Sequence, residues 1–523
     1  MSMVFTHKQL GEMEGVELCE GRVVQFRAIQ FATIPGRFRQ SQLCTKLLKH
    51  DFREYGAVCP QPPMMEGTGT VFGARVSDSP MKPKQDEYEC LNLTVTVPFK
   101  ALSSDESVPV LVYIHGGGFL FGGANSEFEN TAKLVDLSDS IGKPIICVAI
   151  QYRMNYFGFA YSKELIDYAT KLDEPAGNYG IRDVLTAFNW IRKFIDGFGG
   201  DARKVTACGE SAGAVVISSI ICADNLPMER PFSRAILQSG IASTSGARPL
   251  ECHQEIFDNA AKRFLRTGFS QDKLTVMQEY PANDIFKLEG NPDEFDLAID
   301  NILFDSPLTT SEVCKRMQEC QWVDAFLAGD NKDEGALFAD MISGYDTNTG
   351  FLNHHLFVGF GAESVSRIPN ILATAGVEFV PLTGKVSDRE EQVLITLLAG
   401  VMFHAPVYAL MHCSTNIKGY YYHFDRVNNF ANNGLHGTSH HALELLYLFQ
   451  HISFQPDVEL RADEVAAQES LGKTWIEFVH GLEPWAHDMV GVLDKNHFEI
   501  LTEREDIERH GRQVQVWKVI ASL

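Results

Sequence analysis

The chain is short of basic residues, of cysteines in any metal-binding arrangement, and of long apolar runs. Lysine and arginine number 45 against 68 aspartates and glutamates, a formal net charge of −23. A surface that acidic repels phosphate backbones and anionic headgroups, which argues against nucleic acid as a partner. The 11 cysteines are an odd number, scattered and without C-x-x-C spacing, so no metal centre is expected and nearly all thiols should be buried. No Ser/Gly/Pro-rich linker, low-complexity tract or repeat at a solenoid period divides the 523 residues, which argues for a single large domain over 1–523. The opening MSMVFTHKQLGEMEG lacks the basic and apolar regions of a secretory leader. The run VLITLLAGVMF from Val393 is too short to cross a bilayer and reads as a buried helix. Together these absences give the expectation of a cytoplasmic protein without a membrane span. They leave its oligomeric state open.

What is present points to an α/β fold. Hydrophobic residues make up 45% of the chain, enough at this length for a large core. VPVLVYIHGGGF (Val108 to Phe119) and KPIICVAIQYR (Lys143 to Arg153) are too uniformly apolar to have one wet face and read as interior strands of a covered sheet. IRDVLTAFNWIRKFIDGF repeats Val184, Phe188, Ile191 and Ile195 at helical spacing. KVTAC, the helix AGAVVISSIICA and the strand in ERPFSRAILQSG follow. Strand and helix alternate, which implies a large, mostly parallel central sheet flanked by helices. Residues around 251–321 and 364–413 read as helical insertions. The end of the chain, EDIERHGRQVQVWKVI, suggests a last helix or an extended tail anchored by Val514, Trp517 and Ile520. The sequon Asn92-Leu93-Thr94 falls inside a strand-like segment, a poor place for a glycan.

One stretch carries chemistry: VTACGESAGAVV, Val205 to Val216. A serine hydroxyl is a weak nucleophile unless it is exposed, aimed at a base and set beside hydrogen-bond donors. In G-x-S-x-G, Gly209 and Gly213 lack a Cβ, so strand and helix can close tightly around a strained turn with Ser211 at its tip. The Ala212 amide then points at the same place. The pattern alone arises by chance in long chains, but its setting between an apolar strand and an apolar helix is specific. Upstream, His115-Gly116-Gly117-Gly118 ends another interior strand, and its glycines leave backbone N–H groups unshielded. This order is expected of an esterase or lipase oxyanion hole.

Taken together these residues resemble the type-B carboxylesterase/lipase family, the cholinesterase-like branch of the α/β-hydrolases. AVCPQ, ECLNL, HGGGF, GNYGIRD, FGGD, VTACGESAGA, LQSG, NKDEGALF, YYHFDR and TWIEFVHGLEPW resemble its signature blocks in the family's order over most of the chain. The resemblance implies the α/β-hydrolase fold and a Ser-Glu-His triad. Ser211 stands in the nucleophile's place, and Glu334 of DEG in the acid's, with Asp333 beside it reading as a turn residue. Among His436, His440 and His441, only His441 has an acid three residues on (Glu444) and the closing Tyr447-Leu448-Phe449. Gly117, Gly118 and Ala212 take the oxyanion-hole positions. Ser239 resembles a serine near the triad glutamate, or else simply ends a strand. Cys59 and Cys90 resemble a family disulfide, which an oxidised sample should contain and a reducing cytosol would disfavour.

The departures matter as well. The segment from Cys59 to Cys90 has no tryptophan, one phenylalanine and one tyrosine, which argues against choline esters as substrates. Cys208 stands where many relatives have phenylalanine. The implied reaction is hydrolysis of small or medium acyl esters through an acyl-enzyme, with no metal or organic cofactor. The alternatives are a lactonase, thioesterase or acyltransferase acting on a specialised intracellular metabolite, and, less favoured, a non-catalytic interaction protein of the same fold.

Overall fold

The computed structural model describes residues 2–62, 84–125, 127–268, 272–287, 295–338, 359, 361, 395–413, 416–430, 435–452 and 462–522. Residues 364–394 of the second expected insertion, and Phe72 in the segment between Cys59 and Cys90, lie outside them.

A twelve-stranded sheet organises the chain: β1 (Ser2–His7), β2 (Gly11–Leu18), β3 (Val23–Gln30), β4 (Asn92–Pro98), β5 (Val108–Ile114), β6 (Ile146–Ile150), β7 (Gly200–Glu210), β8 (Arg234–Gln238), β9 (Ala325–Asn331), β10 (Lys418–Phe424), β11 (Met489–Leu493) and β12 (Glu499–Thr502). Their order in space is β1-β2-β3-β4-β6-β5-β7-β8-β9-β10-β11-β12. Every pairing from β6 through β11 is parallel. Antiparallel strands close both margins. The parallel strands need crossover helices, and these cover both faces, so the middle strands have no solvent side. In β5, Val110, Val112 and Ile114 enter one apolar layer while Leu111 and Tyr113 enter the other. In β6, Ile146, Val148 and Ile150 alternate in the same way with Cys147 and Ala149. The uninterrupted apolar runs are thus two-faced burial at a period of two.

The helix expected from Ile181 spans Tyr179–Phe194 and tightens into a 3-10 turn over Ile195–Phe198. Its periodic residues Val184, Phe188, Ile191 and Ile195 are all buried. Helices Leu250–Leu265, Lys273–Glu279 and Thr310–Glu319 occupy the first expected insertion, along with a short parallel pair, Ala247–Arg248 with Leu297–Ala298. The chain ends in two helices, Glu503–His510 and Val514–Ala521, and the second buries Val514, Trp517 and Ile520. The apolar run near Val393 continues further than its composition suggested. Ile395–His412 is one 18-residue helix, long and apolar enough to cross a membrane by length and composition, yet 78% of it is buried inside the protein. It is a core helix, with a π turn at Gly400–His404. Asn92 is buried at the start of β4 and donates to the Ala57 and Glu89 carbonyls. Cys59 and Cys90 are both buried free thiols, but fewer cysteines are buried than expected: Cys19, Cys44, Cys252, Cys314 and Cys413 are only half-buried.

Backbone segments pack very closely where β7 turns into the helix Ala212–Ile221. A Cβ on Gly213 would sit 2.0 Å from the Ile114 carbonyl oxygen, and one on Gly209 would sit 2.5 Å from the Gly213 carbonyl carbon. Both contacts are with backbone, which cannot swing aside. Gly213→Ala should therefore lower unfolding stability by about 1–3 kcal/mol or more, as overpacked cores do, read as a lower midpoint in urea denaturation.

Candidate active site

The site forms at the carboxyl ends of the parallel strands, where open α/β sheets hold their ligands. β7 delivers Ser211 with φ 53 and ψ −122, a conformation that costs an L-residue about 1–3 kcal/mol. Two backbone bonds hold it there: Ser211 N–H donates to the Gln238 carbonyl of β8 (2.8 Å), and its own carbonyl accepts from Val215 N–H (3.0 Å). Its neighbours Gly209, Glu210, Ala212 and Gly213 are buried, while Ser211 remains partly open to solvent.

β5 ends in the glycine loop. Gly117 and Gly118 have φ of +105 and +59, and a Cβ on Gly117 would fall 2.0 Å from the Phe121 carbonyl oxygen. Among the described residues, neither glycine N–H donates to a backbone acceptor. Ala212 opens the helix after Ser211, so its N–H has no partner within that helix. Gly116 has a further role: a Cβ there would lie 2.4 Å from Glu210 Oε2 and 3.1 Å from Ser211 Cβ. The missing side chain makes room for the Glu210 carboxylate against the loop.

β9 ends just before Glu334, which is fully buried and accepts the Asn331 N–H at 2.7 Å. Its other oxygen meets His441 Nδ1 at 2.5 Å. Nδ1 therefore carries the proton that Glu334 accepts, and Nε2 faces the opposite way. Nε2 lies 3.0 Å from Glu210 Oε1, a charge contact without hydrogen-bond alignment. Burial opposes a charged imidazole, but the Glu210 and Glu334 carboxylates outweigh it and hold the His441 pKa well above the ordinary value. Glu210 is itself raised by burial and by Glu334, against the pull of His441.

The other histidines are placed differently. His440 Nδ1 donates to the His441 carbonyl (2.8 Å), and its Nε2 meets Asn428 Nδ2 at 2.9 Å. Burial pushes its pKa down to about 4, so it is neutral and structural. His436 is exposed. Asp333 does more than turn the chain: its N–H donates to the Ser439 carbonyl and its carboxylate accepts from Ser439 N–H, both at 2.8 Å. It thereby clamps the histidine loop to the Glu334 loop. Ser239 is buried at the end of β8, donating through its N–H to the Gly329 carbonyl (2.9 Å), and its hydroxyl has no partner among the described residues.

Several neighbours escaped the sequence reading. Glu444 served there only as a register mark, yet it is fully buried and bonded by Gln238 Nε2 (3.0 Å) and Asn331 Nδ2 (2.6 Å). Burial, with repulsion from Glu210 and Glu334, raises its pKa to about 8. Glu129 is likewise raised to about 8, by burial and by Glu210. Phe403, from the π turn, lays its ring 4.7 Å from that of His441. The one available signal for Glu210 was its place inside the motif; the others come from distant segments.

A serine on a strained strand-to-helix turn, with a carboxylate-held imidazole at the carboxyl edge of a parallel sheet, defines an α/β-hydrolase. Residues 2–515 match the Carboxylesterase family, and the chain belongs to that family of hydrolases. It is 27% identical over 493 residues to "Lipase 3" of Yarrowia lipolytica (strain CLIB 122 / E 150), covering 92% of this chain and 89% of that protein. It is also 32% identical over 246 residues to "Inactive carboxylesterase-like protein VdtD" of Byssochlamys spectabilis, covering 44% of this chain and 37% of that one. The solved structure of a thermophilic PNB esterase superposes with a TM-score of 0.74 at 21% identity, over 99% of this chain and 100% of that one, which shows the shared fold.

The two carboxylates flanking the imidazole have a measurable consequence. In histidine-labelled protein, NMR titration should find the His441 pKa above the ordinary histidine range. Glu210→Gln, which removes one of the two charges favouring the imidazolium, should move it to lower pH.

Proposed function

We propose that this carboxylesterase-family hydrolase cleaves small or medium acyl esters through an acyl-enzyme on Ser211, with His441 as base and Glu334 as its orienting acid. The observation that carries the reading is the placement of His441: Nδ1 is fixed by Glu334, and Nε2 reaches Glu210, the residue joined to Ser211. In the first step, neutral His441 takes the Ser211 proton at Nε2 as Oγ bonds to the ester carbonyl carbon. The tetrahedral oxyanion rests against the Gly117, Gly118 and Ala212 amides. The carbon–oxygen bond then breaks, and the alcohol leaves with the proton from His441. Water repeats the sequence on the acyl-enzyme, with His441 again taking and returning a proton, and the acid is released.

Only neutral His441 can act as base, so activity should be low below its pKa and rise with pH through it. The same acyl-enzyme would serve lactones, thioesters or acyl transfer to an alcohol, and product analysis with a competing alcohol separates transfer from hydrolysis. The resemblance to an inactive relative favours one further reading, a non-catalytic protein. Against it stand Ser211, Glu334 and His441, all present, with the pair Glu334–His441 in contact.

A fluorophosphonate should label a single residue, Ser211, by peptide mass spectrometry. Ser211→Ala should lose the label and about 10³–10⁶-fold in kcat on a short-chain ester, the range seen when such nucleophiles are removed. A label elsewhere, or undiminished turnover in the variant, would refute the assignment.

A further inference from the structure

A cluster of buried ionisable side chains lies beside the site and takes no part in the proposed chemistry. Asp330, in β9 and four residues before Glu334, is fully buried. Along β9 it follows Phe326 and Ala328, which enter one apolar layer. His423 of β10 meets its carboxylate through Nδ1 at 2.5 Å, Tyr421 Oη donates to it at 3.4 Å, and His404 Nδ1 stands 3.2 Å away. The cluster runs on to the end of the chain. His423 Nε2 lies 3.5 Å from Asp506, which binds Arg512 and His510, and Arg512 also donates to Asp425.

A carboxylate this deep is costly unless it is paired. Burial alone would raise its pKa, yet His423 and His404 hold it below the ordinary carboxylate range. Burial opposes charge on His404 too, but Asp330 outweighs it, with a lesser pull from Glu334 and a push from Arg512, so its pKa stays above the ordinary value. Replacing a buried ion pair by apolar groups of the same shape commonly costs a fold nothing. What the pair adds here is direction: it fixes where the His404 ring goes.

His404 ends the π turn Gly400–His404, and the residue before it is Phe403. A π turn interrupts the regular ladder of a helix, and this one presents two consecutive buried side chains to two different partners. Phe403 packs on the His441 ring at 4.7 Å, and His404 goes to Asp330. Trp517 of the last helix stacks on His404, with rings 5.0 Å apart at 23°. The same helix closes on the turn, since a Cβ on Gly400 would lie 3.3 Å from Ile520 Cδ1. His404 is thus held by the strand that leads to Glu334 and by the C-terminal helix, and one peptide bond joins it to Phe403.

We propose that His404 is a positioning residue for His441: anchored on Asp330 and stacked by Trp517, it seats Phe403 against the imidazole and holds that ring in the orientation that meets Glu334. This role rests on the reading of His441 as the base. Glu334 restrains the imidazole at one atom, Nδ1, and leaves it free to tip about that contact. Phe403 packs on the ring itself and removes that freedom. A misplacement of about 1 Å can cost about 10²-fold in rate, so a side chain that never touches substrate can govern turnover.

The test is a double-mutant cycle on the full chain: wild type, His404→Leu, Phe403→Leu and the double variant, each first shown to keep the wild-type circular dichroism spectrum. On a short-chain ester, His404→Leu should lower kcat by about 10–100-fold with KM nearly unchanged. Phe403→Leu should do the same, and the double variant should lose no more than the worse single one, because both break one restraint. In histidine-labelled protein, the His441 imidazole signals should shift in the same direction in both single variants, as they leave the ring current of Phe403. Losses that multiply, an unchanged kcat in His404→Leu, or unmoved His441 signals would overturn the proposal. If His404→Leu does not fold, Asp330→Asn, which keeps the shape and removes the charge, takes its place in the cycle with the same expectations. Fluorophosphonate labelling of the wild type keeps the two readings apart. Labelled, active enzyme beside an unaffected variant overturns the positioning role alone, whereas a wild type that neither labels nor turns over overturns His441 as base and this role with it.

Discussion

The close approach of three backbone segments around Ser211 is the constraint on which the site depends. Gly213 touches the end of β5, Gly209 touches Gly213, and a Cβ on Gly240 would stand 3.0 Å from the Ser211 carbonyl oxygen. Within that enclosure the serine has no relaxed conformation to fall into. Its strain of about 1–3 kcal/mol is offset by the helix that follows, where Val215, Val216, Ile217, Ile220 and Ile221 are all buried. Each such side chain stabilises by roughly 1.5–3 kcal/mol, so the core can hold one residue in an unfavourable region of backbone space.

A second constraint is electrostatic. Glu210, Glu334 and Glu444 crowd one imidazole in a buried space, and carboxylates so close cannot all be ionised cheaply. Burial and repulsion from Glu210 and Glu334 push Glu444 up to about 8, while Glu334 is bound directly to His441 and to the Asn331 N–H. Because Glu210 is also the residue before Ser211, the electrostatics of the His441 imidazole and the geometry of the serine turn are linked through one peptide unit. Relatives that share this fold include one described as inactive, so fold alone decides nothing about turnover; the groups around Ser211 do.

Much of this could be read in advance because it depends on local chemistry. The glycines of the G-x-S-x-G turn announce a close approach, and the structure supplies the backbone atoms they approach. The runs in β5 and β6 announce burial on two faces. His441 was separable from His440 by the spacing to Glu444, and the structure gives the reason for that spacing: Glu444 opens the short helix Glu444–Leu448 directly after the histidine loop and lies against Asn331. The apolar run near Val393 reads correctly as a buried helix, but the helix runs on through Ala405–His412, past the uninterrupted apolar residues.

By itself the sequence determined the class of fold, the G-x-S-x-G turn, the glycine loop and the family, because each is written in contiguous residues whose spacing has one physical meaning. Tertiary structure alone decided that Asp333 clamps the histidine loop, that Glu210 meets Nε2 and that Phe403 lies on the imidazole. Those pairings join segments tens to hundreds of residues apart. They exist only once parallel strands have brought their carboxyl ends together, and no periodicity along the chain encodes which side chains then meet.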